Sequence, residues 1–165
     1  MLPTQFQNLE SIREECKAMV TNRAVVSGAA VLIPVPGADI AADVGILMKL
    51  LTSVNRKFGL SKEQIDAYDF RIKMLIFSLI TKAGSEVIGR AVTKEIILSI
   101  LKRIGVRVTA KEIAKYIPVI GQFCAVSVSV GAMKYIGNSH VEDCYRIAKQ
   151  IAGSKELTLN YYEAG

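Results

Sequence analysis

The stretch Ala29-Ala30-Val31-Leu32-Ile33-Pro34-Val35-Pro36-Gly37-Ala38-Asp39-Ile40-Ala41-Ala42-Asp43-Val44 decides the reading of this chain. Fifteen uncharged residues, 24–38, end in a proline pair and a glycine, and an amphipathic segment follows at once. Proline removes a backbone donor and fixes φ, so a helix entering residues 34–36 must end or bend there. Glycine then permits a turn that other residues resist. A second phrase of the same kind, Ile117-Pro118-Val119-Ile120-Gly121, opens the other long uncharged stretch, 116–133. Pro34, Pro36, Gly37, Pro118 and Gly121 therefore read as structural hinges inside two apolar helical hairpins.

Working outward, the residues downstream of Gly37 carry a helix signature. Asp39 and Asp43 fall in the first turns and Lys49, Arg56 and Lys57 in the later part, a polarity that complements the helix dipole. Ile40, Val44, Leu47, Met48, Leu51 and Phe58 supply one apolar face, and Gly59 is a natural stop. Upstream, residues 5–23 place Leu9, Ile12, Cys16, Met19 and Val20 at helical spacing.

Three capping-box spacings mark further helix starts. Ser61-Lys62-Glu63-Gln64 predicts a helix through about residue 82, with a face of Ile65, Tyr68, Ile72, Leu75, Ile76 and Leu79. Residues 85–104 fit another, with Val87, Ile88, Val92, Ile96, Leu101 and Ile104 inward and Gly105 as its end. Thr109-Ala110-Lys111-Glu112 starts a short helix that stops before Pro118. Ser139-His140-Val141-Glu142 starts a last one, closed at Gly153. Val126-Ser127-Val128-Ser129-Val130 alternates with period two, but no second strand of similar quality exists to pair with it. Small residues there (Ala125, Ser127, Ser129, Gly131, Ala132) suit a helix approaching its neighbours closely. The expected fold is all-α, a compact multi-helix bundle. Residues 1–153 form one helical domain and 154–165 a polar C-terminal tail, loose or forming a short extended edge.

The 165 residues suffice for one domain with its own core, and 51% of them are hydrophobic. The net charge of +6 favours acidic partners such as anionic lipid headgroups. Nucleic acid is not indicated, because Arg56, Lys57, Lys102, Arg103 and Arg107 are scattered and aromatics make up only 7%, with no tryptophan. Cys16, Cys124 and Cys144 match no metal spacing, and an odd count argues against a disulfide framework. Cys124 reads as a small core residue. Residues 1–15 carry Glu10, Glu14 and Glu15 and lack the basic lead and apolar core of a signal peptide. The reading is a cytoplasmic protein, peripheral to a membrane.

These residues bring a family into view. Residues 29–44, followed by Lys57-Phe58-Gly59-Leu60, resemble the helical domain of immunity-related GTPases. They are similar also to a helical GTPase-associated domain of bacterial proteins. The stretch 116–144, with Tyr135-Ile136-Gly137, looks like the second half of the same domain. The resemblance implies a helical fold and association with a membrane or a GTPase. Those GTPases hydrolyse nucleotide on a Gly-x-x-x-x-Gly-Lys-Ser/Thr loop, which this chain lacks. The nearest phrase, Gly84 to Gly89, is followed by Arg90-Ala91. No nucleotide-binding residue carries over.

No catalytic, cofactor or metal set emerges. His140, the single histidine, reads as an exposed helix-start residue. Asp39 and Asp43 share a helix face at i, i+4. A carboxylate pair could bind a metal, but compensation of the dipole, or a buried pairing with a basic side chain, is the preferred reading. A transmembrane helix needs about 20 apolar residues. Residues 24–38 fall short, and residues 116–133 contain Pro118, Gly121, Gln122 and two serines. The expectation is a non-enzymatic helical interaction module without cofactor, working at an anionic membrane surface, with a GTPase or with a second copy of itself. The alternative is a membrane-inserting, pore-forming or toxin-like helical protein.

Overall fold

A computed structural model describes the backbone of residues 6–30, 38–107 and 118–163, and the side chains of residues 8–26, 44–101, 103 and 130–154. Pro34, Pro36 and Gly37 and the expected short helix at 109–117 lie outside the described residues, as do the side chains of Asp39, Asp43 and Cys124.

Every regular element among the described residues is an α-helix. In order these are α1 (Phe6–Ala30), α2 (Ala38–Lys57), α3 (Lys62–Asp66), α4 (Phe70–Ala83), α5 (Lys94–Arg107) and α6 (Pro118–Glu163). The Val126–Val130 alternation is helical, as expected. Tertiary context decides such ambiguous pentads, because period-two sequences still form helices where no partner strand exists.

The chain divides into two compact units. One comprises Met1–Cys16, Thr52–Ala91 and Ser139–Gly165; the other comprises Lys17–Leu51 and Val92–Asn138. In the first unit Leu9, Cys16, Val54, Phe58, Leu60, Ile65, Ile76, Val87, Ile88, Val141, Cys144 and Ile151 are buried. In the second, Val20, Ala24, Val44, Leu47, Leu50, Leu51, Ile97, Met133 and Ile136 are buried.

Helix α2 starts at Ala38 and ends as its sequence dictates. Gly59 takes φ 73, the Gly59 N–H donates to Arg56 O at 3.2 Å and the Leu60 N–H to Asn55 O at 2.8 Å. Those two bonds form a Schellman closure, which needs the left-handed residue that glycine supplies. Ser61 then caps α3 in a full capping box with Gln64. The spare amide N–H of Gln64 donates to Arg56 O at 3.1 Å, sewing the new helix to the end of the old one.

The helix expected over 61–82 is two helices. Ala67 closes α3 and Asp69 caps α4, its carboxylate accepting from the Ile72 N–H at 3.0 Å. Tyr68 between them donates its hydroxyl to Gly59 O at 3.2 Å. An Asp with no Glu three residues later leaves no box pattern, which is why this cap is hard to read from sequence.

The helix expected over 85–104 starts nine residues late. Gly84 takes φ 67 and ends α4. Ser85 Oγ then accepts from the N–H groups of Val87 at 3.3 Å and Ile88 at 3.2 Å, a side-chain turn that competes with helix. Thr93 Oγ1 accepts from Ile96 N–H at 3.4 Å and starts α5, which continues past Gly105 to Arg107. Val87 and Ile88 are buried from an irregular turn, not from a helix face.

Helix α6 passes through Ser139 and Gly153 without a break. A capping box acts only where the chain enters a helix, and here residues 118–138 are already helical. Residues 154–163, expected as a tail, continue the helix. Pro118 is its first residue, where a missing N–H costs nothing, and Gly121 sits in its first turn.

Of the small residues expected to approach a neighbouring helix, Ala125, Ser127 and Ser129 lie outside the described side chains; among the described residues a close approach occurs at Gly137. A Cβ placed on Gly137 would lie 2.7 Å from Cγ1 and 2.8 Å from Cγ2 of Val20, whereas one on Gly131 would meet nothing within 4 Å. In the second unit α6 thus packs against α1 across a glycine.

Candidate functional site

Among the described residues of the first unit, two places stand out beyond apolar packing. One is buried and polar; the other is exposed and apolar.

The buried place is built on the last turn of α2. Asn55, His140 and Cys144 are respectively 2%, 6% and 0% exposed. His140 and Cys144 stand one turn apart on α6. Asn55 Nδ2 donates to the carbonyl oxygen of Val87 at 3.1 Å. A carbonyl only accepts, so the amide orientation is fixed and Oδ1 faces the histidine. His140 Nε2 lies 2.9 Å from that oxygen and therefore carries the proton it donates. The thiol of Cys144 points at the same oxygen, 3.5 Å away, with His140 Nε2 at 3.6 Å.

Cys, His and Asn are the residue types of a cysteine-hydrolase set, but the connections differ from one. There the imidazole nitrogen facing the sulfur must be free to take its proton. Here that nitrogen is already a donor. Burial also pushes the Cys144 thiol well above its ordinary range, with Asp143 and Cys16 adding in the same direction. A thiolate is thus disfavoured, and the trio works as a clasp of α2, the 85–90 turn and α6. The expectation of an exposed His140 at a helix start is corrected: the residue is buried, mid-helix and hydrogen-bonded. The signal available in sequence was the His-x-x-x-Cys spacing, which puts both on one helix face. Asn55 gave none.

A second tie lies beside the first. Gly89, at φ 71, donates its N–H to Leu60 O at 3.2 Å. A Cβ there would meet Ile65 Cδ1 at 2.9 Å and Ile80 Cδ1 at 3.2 Å. Arg13 completes this unit's polar framework. Its Nε donates to Glu142 at 2.9 Å and its Nη1 to Glu10 at 2.6 Å, while its guanidinium carbon stands 4.9 Å from the centre of the Tyr145 ring. Both carboxylates raise the Arg13 pKa further above its already high ordinary value.

The exposed place is helix α4. Its inward face is Ile76 and Ile80. Its outward face carries Phe70 at 76%, Met74 at 55% and Phe77 at 47% exposure. At i, i+4 and i+7 these three lie in one line along the helix. At 100° per residue Arg71 and Lys82 fall on one side of that line and Lys73 on the other. The helix contains no acidic residue. None of the three cations makes an ion pair with a described residue.

Protein-family models, curated proteins and solved structures offer no match to this chain.

Among the described residues no cluster of His, Cys, Asp or Glu could hold a metal ion, and no helix is long and apolar enough to cross a membrane. The backbone places Asp39 and Asp43 in the first two turns of α2, and their side chains lie outside the described residues.

Proposed function

We propose that the chain is a non-catalytic helical interaction module, acting from the cytoplasm at a membrane surface or against a GTPase or a second copy of itself. The observation that carries this reading is the outward face of α4. Large apolar side chains exposed in a contiguous line and rimmed by charge are the usual mark of a docking surface. Among the described residues, the Asn55, His140 and Cys144 constellation is buried and tied by hydrogen bonds, whereas the α4 line is open to solvent. The likeness of 29–44 and 116–144 to GTPase-associated helical domains adds a GTPase to the candidate partners. The inserting, pore-forming alternative draws on the uncharged stretches; the α4 face favours the peripheral reading.

Sedimentation velocity of the purified chain, alone and with dye-loaded vesicles, tests the reading. Self-association, or vesicle binding without dye release, is the expected result. Dye release would favour the inserting alternative. Rapid alkylation of Cys144 in the folded chain at neutral pH would overturn the non-catalytic part, because a sealed, protonated thiol reacts only on opening.

A further inference from the structure

We infer that the outward face of α4 docks flat on an anionic phospholipid bilayer, with Phe70, Met74 and Phe77 entering the interface and Arg71, Lys73 and Lys82 holding headgroup phosphates. This rests on the interaction-module reading above and names its partner.

The shape of the face comes first. The line of Phe70, Met74 and Phe77 stands proud on a helix, with Phe70 more than three-quarters exposed. A helix of 14 residues is about 21 Å long, enough to lie along a surface. An interfacial helix buries its apolar face only to the boundary between headgroups and acyl chains, and pairs it with Lys and Arg on its flanks. Long basic side chains suit those flanks because their stems lie along apolar surface while their heads reach the phosphates.

Charge then selects among occupants. Arg71, Lys73 and Lys82 are all positive, and α4 has no carboxylate of its own. Across a two-fold axis a second copy would set these cations against the same cations, an arrangement that repels. A specific protein partner is ordinarily matched by mixed charge and shape. Arg71 and Lys82 along one side of the apolar line match an anionic plane, while Lys73 on the other side also feels the Asp66 carboxylate next to the start of the helix. The net charge of +6 adds long-range attraction to such a plane.

The full chain is sedimented with vesicles of phosphatidylcholine containing about a quarter phosphatidylserine, and with pure phosphatidylcholine vesicles. Two variants accompany it: F70S/F77S, whose positions are exposed, and R71Q/K82Q. Melting curves check that both remain folded. The expected result is binding to anionic vesicles only, weakened at least tenfold in each variant. Soluble glycerophosphoserine should not compete, because it supplies the phosphate without the apolar layer. If the wild type does not bind anionic vesicles but self-associates through α4, the bilayer inference falls and the module reading stands. Equal binding by wild type and both variants would likewise remove α4 from the interface while leaving the module intact. A wild type that binds neither vesicles nor itself would overturn the bilayer inference together with the membrane and self-association arms of the module reading.

Discussion

The Nε2–H of His140 donates to Oδ1 of Asn55 across 2.9 Å, joining residues 85 positions apart in sequence. Asn55 is the hub, because its Nδ2 simultaneously holds Val87 O at 3.1 Å. Inside a protein a satisfied polar hub contributes modestly, whereas a broken one leaves several groups without water or partner.

Asn55→Ala is therefore expected to cost about 2–4 kcal/mol, since it strands the His140 N–H and the Val87 carbonyl together. His140→Leu removes the other end of the same bond and leaves Oδ1 within reach of the Cys144 thiol at 3.5 Å, so it is also expected to destabilise. The double variant should fall short of the sum of the two, as both ends of one bond are then gone. Urea unfolding of the three variants provides the cycle, and strict additivity would show that the bond carries no coupling.

Burial sets an alkaline limit on stability. Cys16, fully buried, has its thiol pushed up to about 11 by desolvation, partly offset by Lys57, and Cys144 is raised in the same sense. Below the ordinary thiol range, both folded and unfolded chains hold these protons and stability does not depend on them. Above about pH 8.5 the unfolded chain releases them while the folded chain does not, so unfolding becomes more favourable by up to roughly 1.4 kcal/mol per pH unit for each thiol. Urea midpoints should thus fall between about pH 9 and 11. Cys16→Ala and Cys144→Ala should each flatten that fall. Parallel curves for wild type and variants would mean the thiols are not the cause.

Two left-handed glycines in the same unit differ in surroundings, which separates conformational strain from packing. Gly84, at φ 67, has nothing within 4 Å of where a Cβ would stand; Gly89, at φ 71, has Ile65 Cδ1 at 2.9 Å. Gly84→Ala should cost about 1 kcal/mol, the penalty of the left-handed region alone. Gly89→Ala should cost about 2–3 kcal/mol, because the new methyl must also displace Ile65 and Ile80. Thermal melts rank the two, and equal losses would show that the isoleucine ends give way freely.

The sequence announced those elements whose ends carry residues with one dominant use. Ala38 to Gly59 could be bounded because the acidic start, the basic finish and the stop glycine all belong to one helix. Ser61 was legible because Gln64 completes its box. The break at Asp69 was not, since a lone Asp inside an apolar period resembles a surface position. Ser85 and Thr93 control 85–93 through hydroxyl bonds to backbone that no periodicity reports. Ser139 failed in the opposite sense: its box is present in the letters, but the preceding turns are helical and leave it nothing to cap. The α4 face was overlooked because Phe70, Met74 and Phe77 enrich an already apolar segment. Only the packing of Ile76 and Ile80 decides which side faces water.

Gly137 and Val20 offer the sharpest test of packing in the second unit. A methyl on Gly137 would sit 2.7 Å from one Val20 methyl and 2.8 Å from the other, and Val20 is fully buried. Valine is stiff about χ1, so it cannot swing aside as a long side chain would. Gly137→Ala gains about 1 kcal/mol in helix propensity. Overpacking at this distance costs about 1–3 kcal/mol, and the lack of an easy escape places the cost at the upper end. The net expectation is destabilisation of about 1–2 kcal/mol. Val20→Ala alone should also destabilise, by the loss of two buried methyls. In the double variant the alanine methyl of residue 137 occupies the space Val20 vacates. The pair should then be more stable than the sum of the single losses by at least about 1 kcal/mol. Chemical unfolding of all four proteins measures that coupling, and its absence would separate α6 from α1 at this point.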